Sequence, residues 1–394
     1  MYTPISRTLT NLLLLFFFLL LPSLATSTPI APRASQTTTK HTPKIFIISL
    51  FTPEATTWYT HAPSNSSISS TNLLSNNITL PLLSPLFPSI HCTPTHEICQ
   101  LVTGEAEINA ATSLTALLLS PLFNLSKTYF LVAGIAGVNP EHATLGSAMF
   151  ARYAVQVGLQ YELDPRELGD AAEGVTGYIA QGARAVGEYP RDIYGTEVFE
   201  LNDELRHVVA GFARGVELSD SALAHTYRSH YITDDNRYFA GTQPPSVVEC
   251  DVATSDTFFS GKLLAEGFAD FTALMTNGTG VYCSTAQEDN ALLEGLVRGH
   301  VAGLVDFERV VVLRTGSDMD RPYPGQPALE NLFGMEMQGG YPIAIANVGI
   351  VGWAVVEGIL GEWDSRFEEG VKASNYVGDI LGTLGGTPDF GPGI

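Results

Sequence analysis

The sequence predicts an α/β fold: a single domain with a mixed, largely parallel central sheet flanked by helices. Three observations predict it. The runs Lys44-Ile-Phe-Ile-Ile-Ser-Leu-Phe51, Thr128-Tyr-Phe-Leu-Val-Ala-Gly-Ile-Ala-Gly137 and Val310-Val-Val-Leu313 are short, continuous and apolar, as strands buried on both faces are. Helical stretches fall between such runs, and strands alternating with helices make an α/β sheet. Acidic residues or glycine-bearing turns then fall where the runs end: Glu54 after the first, Gly134 to Gly137 in the second, and Gly316-Ser-Asp318 after the last. In an open α/β sheet, the carboxyl ends of the strands are where ligands sit.

Taken in order, residues 1–28 read as a secretory signal peptide, with Arg7 as the basic region, Leu12 to Leu21 as the apolar core and Pro22 to Ser27 as a small-residue cleavage zone. That core is too short to span a bilayer. Residues 29–43 are polar and rich in Pro and Thr, which predicts a disordered lead-in, and the domain is expected over 44–394. Pro63 to Pro94 reads as an extended surface excursion. Glu97 to Thr103 leads into Gly104-Glu-Ala-Glu-Ile-Asn-Ala-Ala111 and a helix carrying Leu114, Leu117 and Leu118 up to Pro121. Thr144 to Val157 holds a further strand. Residues 158–245 are more polar, with Tyr194 to Asn202 expected to start a helix. Ser246 to Asp256 reads as a strand running into a polar turn before Phe258 and Phe259. Thr285 to Glu294 reads as a helix start crowded with acidic and amide side chains, and Asp318 as a carboxylate just past a buried strand. The bland alternative makes Asp318 and Glu288 to Asn290 ordinary capping residues. Tyr341 to Leu360 is apolar enough to suggest a membrane span, but Asn347, Glu357 and several glycines favour a buried C-terminal helix.

A net charge of -21 argues against nucleic acid and anionic membrane surfaces as partners, since both select basic patches; a small neutral ligand is compatible with it. Sequons at Asn65, Asn77, Asn124 and Asn277 fit a secreted glycoprotein. The four cysteines allow three pairings. Close spacing favours Cys92 with Cys99, which leaves Cys250 with Cys283. A zinc site on Cys92, His96 and Cys99 is the rival, and the oxidising compartment favours the disulfide. No metal or cofactor is expected, and nothing resembles a bundle of transmembrane helices.

Jointly, several of these motifs resemble the purine nucleoside permease family of fungi and bacteria. They are Lys44 to Ser49 with Pro53-Glu54, Gly104 to Ala111, Ala133 to Gly137, Tyr194 to Glu200, Cys250 to Asp256, Ala286 to Asn290 and Arg314-Thr-Gly-Ser-Asp318. They span roughly residues 44 to 365. Ala106 departs from the pattern, because a second glycine is expected there. The family in turn resembles the nucleoside phosphorylase and nucleosidase superfamily.

The resemblance implies a purine nucleoside ligand and roles for particular residues. Glu54 matches the carboxylate that activates the attacking water, and Asp318 the acid that protonates N7 of the departing purine. Phe258 matches an aromatic that stacks on the base, and Glu288 the carboxylate that grips the ribose hydroxyls. Gly134 and Ile135 lie in the small-residue turn, where Ile135 replaces a Ser that would help hold phosphate. Gln287 replaces a Met against the sugar. The resemblance therefore implies a secreted protein of nucleoside uptake that hydrolyses the N-glycosidic bond. The alternatives it leaves are capture without turnover and phosphorolysis. A neighbouring subunit completing the site, hence a homo-oligomer, is also implied.

Overall fold

The computed structural model describes residues 39–391 apart from 64–67, 69 and 170–175. The expected signal peptide, most of the lead-in and the Asn65 sequon lie outside the described residues. His41, inside that lead-in, already pairs with the chain at Phe123: its amide donates to the Leu122 carbonyl at 2.8 Å, and its carbonyl accepts from Asn124 at 2.8 Å.

Tyr129–Val138 is the strand on which the sheet is built. It runs parallel to Ile45–Ser49 on one side, with Ile45 opposite Tyr129 and Ile48 opposite Val132, and parallel to Val310–Met319 on the other. Ile98–Val102 continues the sheet beyond Ile45–Ser49, also in parallel. Tyr282–Ala286 reaches the central strand from the opposite direction, pairing antiparallel at Gly137 and Val138. Asp251–Thr254 and Tyr153–Gln156 extend the sheet in parallel beyond it. The sheet is therefore mixed and mostly parallel, as expected.

The side-chain alternation of each buried strand supplies two cores. Phe46, Ile48, Phe130, Val132, Val310 and Val312 pack with Leu114 and Leu117 of helix Glu107–Leu118 and with Leu292 and Leu296 of helix Asp289–Val301. Ile45, Ile47, Leu131, Val311 and Leu313 face the other way, onto Trp58, Leu205, Val348 and Val351. Continuous apolar runs are the consequence of having helices on both faces. Gly340–Gly361 is the one helix among the described residues long and apolar enough to cross a membrane, with mean hydropathy 1.9. Most of it is packed inside the domain, as expected. A side chain at Gly352 would come within 2.2 Å of the Trp58 ring, so glycine is what lets the two helices approach. The Trp353 indole donates to the Trp58 carbonyl at 2.9 Å.

Several elements differ from expectation. Tyr194 to Asn202 starts no helix: Val198–Glu200 is a strand, and the helix is Asp203–Ala213, capped by the Asn202 side chain accepting from the Leu205 amide at 3.1 Å. Asn202 is thus a helix cap rather than part of a helix already begun. The Ser246 to Asp256 run is two strands, Val247–Glu249 and Asp251–Thr254, with different partners on either side of Cys250. The surface excursion contains Asn76–Thr79 and Ser89–Cys92, which extend the sheet as an antiparallel pair. Asp318 lies inside the Val310–Met319 strand, not beyond it, because pairing with Tyr129–Val138 resumes after a register shift between Gly316 and Asp318. Disulfides join Cys92 to Cys99 and Cys250 to Cys283, so the thiolates of the rival zinc site are used up. Asn77, Asn124 and Asn277 are exposed.

Candidate functional site

The site arises where the central strand changes partners. Pairing with Ile45–Ser49 stops at Val132 and pairing with Tyr282–Ala286 starts at Gly137. Ala133 to Ala136 between them have no strand on that edge, and side chains take its place. The Ile135 amide donates to Glu54 Oε1 at 2.7 Å, and the Ile135 carbonyl accepts from Arg314 Nη1 at 3.4 Å. Buried backbone groups need partners, so this break in the ladder is what recruits an acid and a base inward. A cavity of about 520 Å³ opens beside it, at the carboxyl ends of the strands. That is an ordinary size for a small-molecule site.

Glu54 stands in the first turn of helix Thr52–Thr60 and is almost wholly buried. Its second oxygen accepts from the Leu50 amide at 2.8 Å. Burial raises its pKa to about 8; Arg314 and the two amide donors work against that rise, and Glu288 adds to it. Gly134 is what admits this arrangement. A methyl there would lie 2.4 Å from Glu54 Oε1 and 2.6 Å from Arg314 Nη1.

Arg314 is buried and already committed. It reaches both oxygens of Asp289, through Nε at 3.2 Å and through Nη2, and Nη2 lies 3.4 Å from Glu288 Oε2. Burial alone would depress its pKa, but Asp289 and Glu288 more than offset this and raise it. Burial lifts Glu288 above the usual carboxylate range, with Arg314 opposing. Its other oxygen accepts from the Ala106 amide at 3.0 Å, which fixes the side chain between the two.

Asp318 sits opposite Gly137 in the strand register, two residues beyond Ile135, so about 7 Å of strand rise separates it from Glu54's anchor. One of its oxygens accepts from Ser317 Oγ at 2.6 Å; no hydrogen bond to Oδ2 is seen among the described residues. Burial raises its pKa to about 6, with the Ser317 hydroxyl opposing and Asp320 adding to the rise.

The expected residues Glu54, Ile135, Phe258, Gln287, Glu288 and Asp318 all line this one cavity, and Gly134 lies directly behind Glu54. Phe258 is half-exposed at its mouth, beside the buried Phe259. Gln287 acts on the wall itself: its amide nitrogen donates to the Asp256 carbonyl at 2.7 Å, while Asp256 Oδ1 accepts from the Glu107 amide at 2.7 Å. These two bonds hold the 256–259 turn, and with it Phe258. Sequence reasoning missed Arg314 and Asp289 as site residues. The available signal was a charged side chain inside a buried apolar strand, which must find a buried partner.

Fold and site together define an α/β protein with a small-molecule cavity walled by buried carboxyl groups at a break in its central sheet. The chain belongs to the purine nucleoside permease family, whose model matches residues 42–372. It is 45% identical over 353 residues to a purine nucleoside permease of Candida albicans, covering 89% of this chain and 83% of that one. It is 37% identical over 329 residues to a probable purine nucleoside permease of Schizosaccharomyces pombe, covering 82% and 90%. Among solved structures it is similar to a 5'-methylthioadenosine/S-adenosylhomocysteine nucleosidase from Neisseria meningitidis, at 12% identity and a TM-score of 0.46, covering 80% of this chain and 99% of that one. It is also similar to futalosine hydrolase of Helicobacter pylori, at 14% identity and a TM-score of 0.45, covering 80% and 97%. Similarity at that level leaves function to be argued from the residues.

Proposed function

We propose that this protein binds a purine nucleoside in the cavity and hydrolyses its N-glycosidic bond, as a secreted protein serving nucleoside uptake. The observation that carries the reading is the pair Glu54 and Asp318: two buried carboxyl groups, both raised into the range where protons exchange near neutral pH, on one cavity. The family's name supports a nucleoside as the ligand. Disulfides and three exposed sequon asparagines support the extracellular setting.

In this reading Asp318 gives its proton to N7 of the purine as the bond from C1' to N9 breaks, and the bonding electrons leave with the base. Water adds its oxygen to C1' and gives a proton to Glu54. Asp318 lies two register positions along the sheet from the Ile135 amide that holds Glu54, so in this reading the two acids meet the nucleoside from different points of one cavity wall. In this reading Glu288 takes the sugar hydroxyls and Phe258 stacks on the base; that both line the cavity supports it. Water is favoured over phosphate as the nucleophile. The Ile135 amide is occupied by Glu54, and Arg314, the cation on the cavity wall, is occupied by Asp289 and Glu288.

A second reading is capture without turnover. It is favoured because both Glu54 oxygens already accept backbone hydrogen bonds, and because the acid titrates below the base. The test is to incubate purified protein with inosine, adenosine and guanosine, with and without phosphate, and to assay free base. Release without phosphate that is lost in Asp318→Asn supports hydrolysis. Release only with phosphate makes it a phosphorylase. Saturable binding without release leaves capture, and neither binding nor release ends the nucleoside assignment.

A further inference from the structure

Glu107 and Asn290 belong to the motifs Gly104 to Ala111 and Ala286 to Asn290, and neither lines the cavity. The fold brings them together. Glu107 opens helix Glu107–Leu118, half-buried, and its Oε1 accepts from Asn290 Nδ2 at 2.9 Å and from Gln156 Nε2 at 2.6 Å. Asn290 Oδ1 accepts in turn from Thr254 Oγ1 at 2.7 Å. Gln156 Oε1 accepts from the Gly158 and Leu159 amides at 2.7 and 3.1 Å. One carboxyl oxygen therefore ties the start of helix Glu107–Leu118 to the start of helix Asp289–Val301 and to the turn after strand Tyr153–Gln156.

These bonds close a ring. The Glu107 amide donates to Asp256 Oδ1 at 2.7 Å, the Asp256 carbonyl accepts from Gln287 Nε2 at 2.7 Å, and the chain from Gln287 returns to Asn290. Two groups on the cavity wall are carried by that ring: Glu288, between Gln287 and Asn290, and Phe258, two residues past Asp256. A carboxylate that merely favoured its own helix start would do so in water, through the macrodipole. Glu107 is instead turned across to two other elements. It forms no ion pair among the described residues, and the acid Asp256 is a neighbouring charge. Half-burying a carboxylate on those terms costs stability, which points to a use beyond it.

We propose that Glu107 is a positioning residue that, through Asn290 and the Asp256 turn, holds Glu288 in place for the ribose hydroxyls of a bound nucleoside. The inference rests on the nucleoside reading and adds to it a residue that does not touch the ligand. Without the Glu107 carboxylate, the Asn290 and Gln156 amide groups lose their shared acceptor. Glu288 keeps Arg314 and the Ala106 amide, but the helix start that carries it is no longer fixed to the helix that follows Ala106. Misplacing a ligand-binding group by about an ångström costs up to about a hundredfold.

The test reads the sugar separately from the base. Equilibrium binding of 9-deazainosine, whose carbon–carbon glycosidic bond is not hydrolysed, is compared with that of its 2'-deoxy counterpart on the full chain. The ratio of the two affinities cancels the base, and a loss of folded protein lowers the number of sites without moving it. In the wild type the ribo compound is expected to bind about tenfold more tightly, since the deoxy compound leaves Glu288 short of a hydroxyl. In Glu107→Ala that ratio should fall to about threefold or less. In Glu107→Gln, whose Oε1 accepts from the same two amides, it should stay within about twofold of the wild type. Asn290→Ala should match Glu107→Ala, and the double variant should lower the ratio no further. If Glu107→Ala does not fold, Asn290→Ala decides. A ratio unchanged in the alanine variant overturns the proposal, and so does a glutamine variant no better than alanine. A wild type that binds both compounds equally takes Glu288 off the sugar and the inference with it, while nucleoside binding stands. If neither compound binds, the functional reading fails and this inference with it.

Discussion

Ala106→Gly is expected to stabilise the protein, although glycine normally weakens a helix start by adding chain entropy. Ala106 precedes helix Glu107–Leu118 with φ 74° and ψ 159°, a region that only glycine occupies freely. Holding a residue with a Cβ there costs about 1–3 kcal/mol. The strain is maintained because the Ala106 amide donates to Glu288 Oε1 at 3.0 Å and the next amide, of Glu107, donates to Asp256. Glycine removes the strain and keeps both donors, and it costs about 0.4–1 kcal/mol through the freer unfolded chain. The balance is a gain of about 1 kcal/mol. For a chain of 394 residues the unfolding entropy is about 0.8 kcal/mol per kelvin, so the melting temperature should rise by about 1–2 °C. Ala106→Val serves as the opposite control and should destabilise by more than that gain, since a branched side chain fits this backbone worse than alanine. Thermal melts of the three proteins in one buffer decide it. A glycine variant that melts at or below the wild-type temperature refutes the reasoning, because the backbone would then hold no strain for glycine to release.

Arg314→Met should be far more damaging than a surface charge change, because it leaves Glu288 and Asp289 buried without their cation. A loss of about 3–5 kcal/mol is expected in chemical denaturation, and a loss below about 1 kcal/mol would mean the pair is not what holds the two acids. Gly134→Ala drives a methyl into the Glu54 carboxylate and Arg314. It should cost about 1–3 kcal/mol and abolish nucleoside binding in titration calorimetry, whereas unchanged binding would show that Glu54 can move freely. Base release should follow a bell-shaped pH profile with limbs near 6 and 8, the values of Asp318 and Glu54, and Glu54→Gln should remove one limb. The same groups carry a stability signature. Both keep protons in the folded state that the unfolded chain has released, so their effect is to lower stability as pH rises. The loss runs from about 4 through 6 for Asp318 and from about 4.5 through 8 for Glu54, and urea midpoints across that range check the sign.

The buried strands were legible because their apolar runs are continuous; Glu54 and Asp318 were legible because such runs lead to them, and Glu288 because it opens a helix start crowded with acidic and amide side chains. Where they differ from expectation, the reason is pairing that no single segment contains. Asp318 stays inside its strand because Gly137 is there to pair with it across a register shift. Arg314 went unassigned because its meaning lies in Asp289, on a different element, and in the gap that Ala133 to Ala136 leave in the ladder. Gln287 was read as a residue against the sugar, yet its amide ties down the Asp256 turn, a contact between segments about thirty residues apart. The Tyr194 to Asn202 stretch misled because the cap, Asn202, closes it rather than opens it.

The distribution of partners within the site separates its scaffold from its chemistry. Burying several carboxyl groups beside one guanidinium is costly, and an apolar filling of equal volume would generally fold at least as well. Asp289 and Arg314 neutralise each other, so they account for their own burial and for the break in the sheet that they fill. Glu54 and Asp318 form no ion pair within 4 Å among the described residues, and burial pushes them up, to about 8 and about 6, with Arg314 only partly opposing the rise of Glu54. A fold that needed only stability gains nothing from them. Their order also bounds what they can do. With Asp318 titrating below Glu54, the form that holds a proton on Asp318 and none on Glu54 is the minor one near pH 7. Turnover in the free-enzyme ionisation state is therefore slow unless the ligand reverses the order. A purine accepting a hydrogen bond from Asp318 favours its protonated form, and sugar hydroxyls donating near Glu54 favour its ionised form. Nucleoside binding should then raise Asp318 and lower Glu54, moving the two toward and past each other, which is the productive direction. Proton uptake or release on binding, followed by calorimetry in buffers of different ionisation enthalpy at pH 6 and pH 8, reads that shift directly. Uptake at pH 6 and release at pH 8 favour hydrolysis, and no exchange at either pH favours capture.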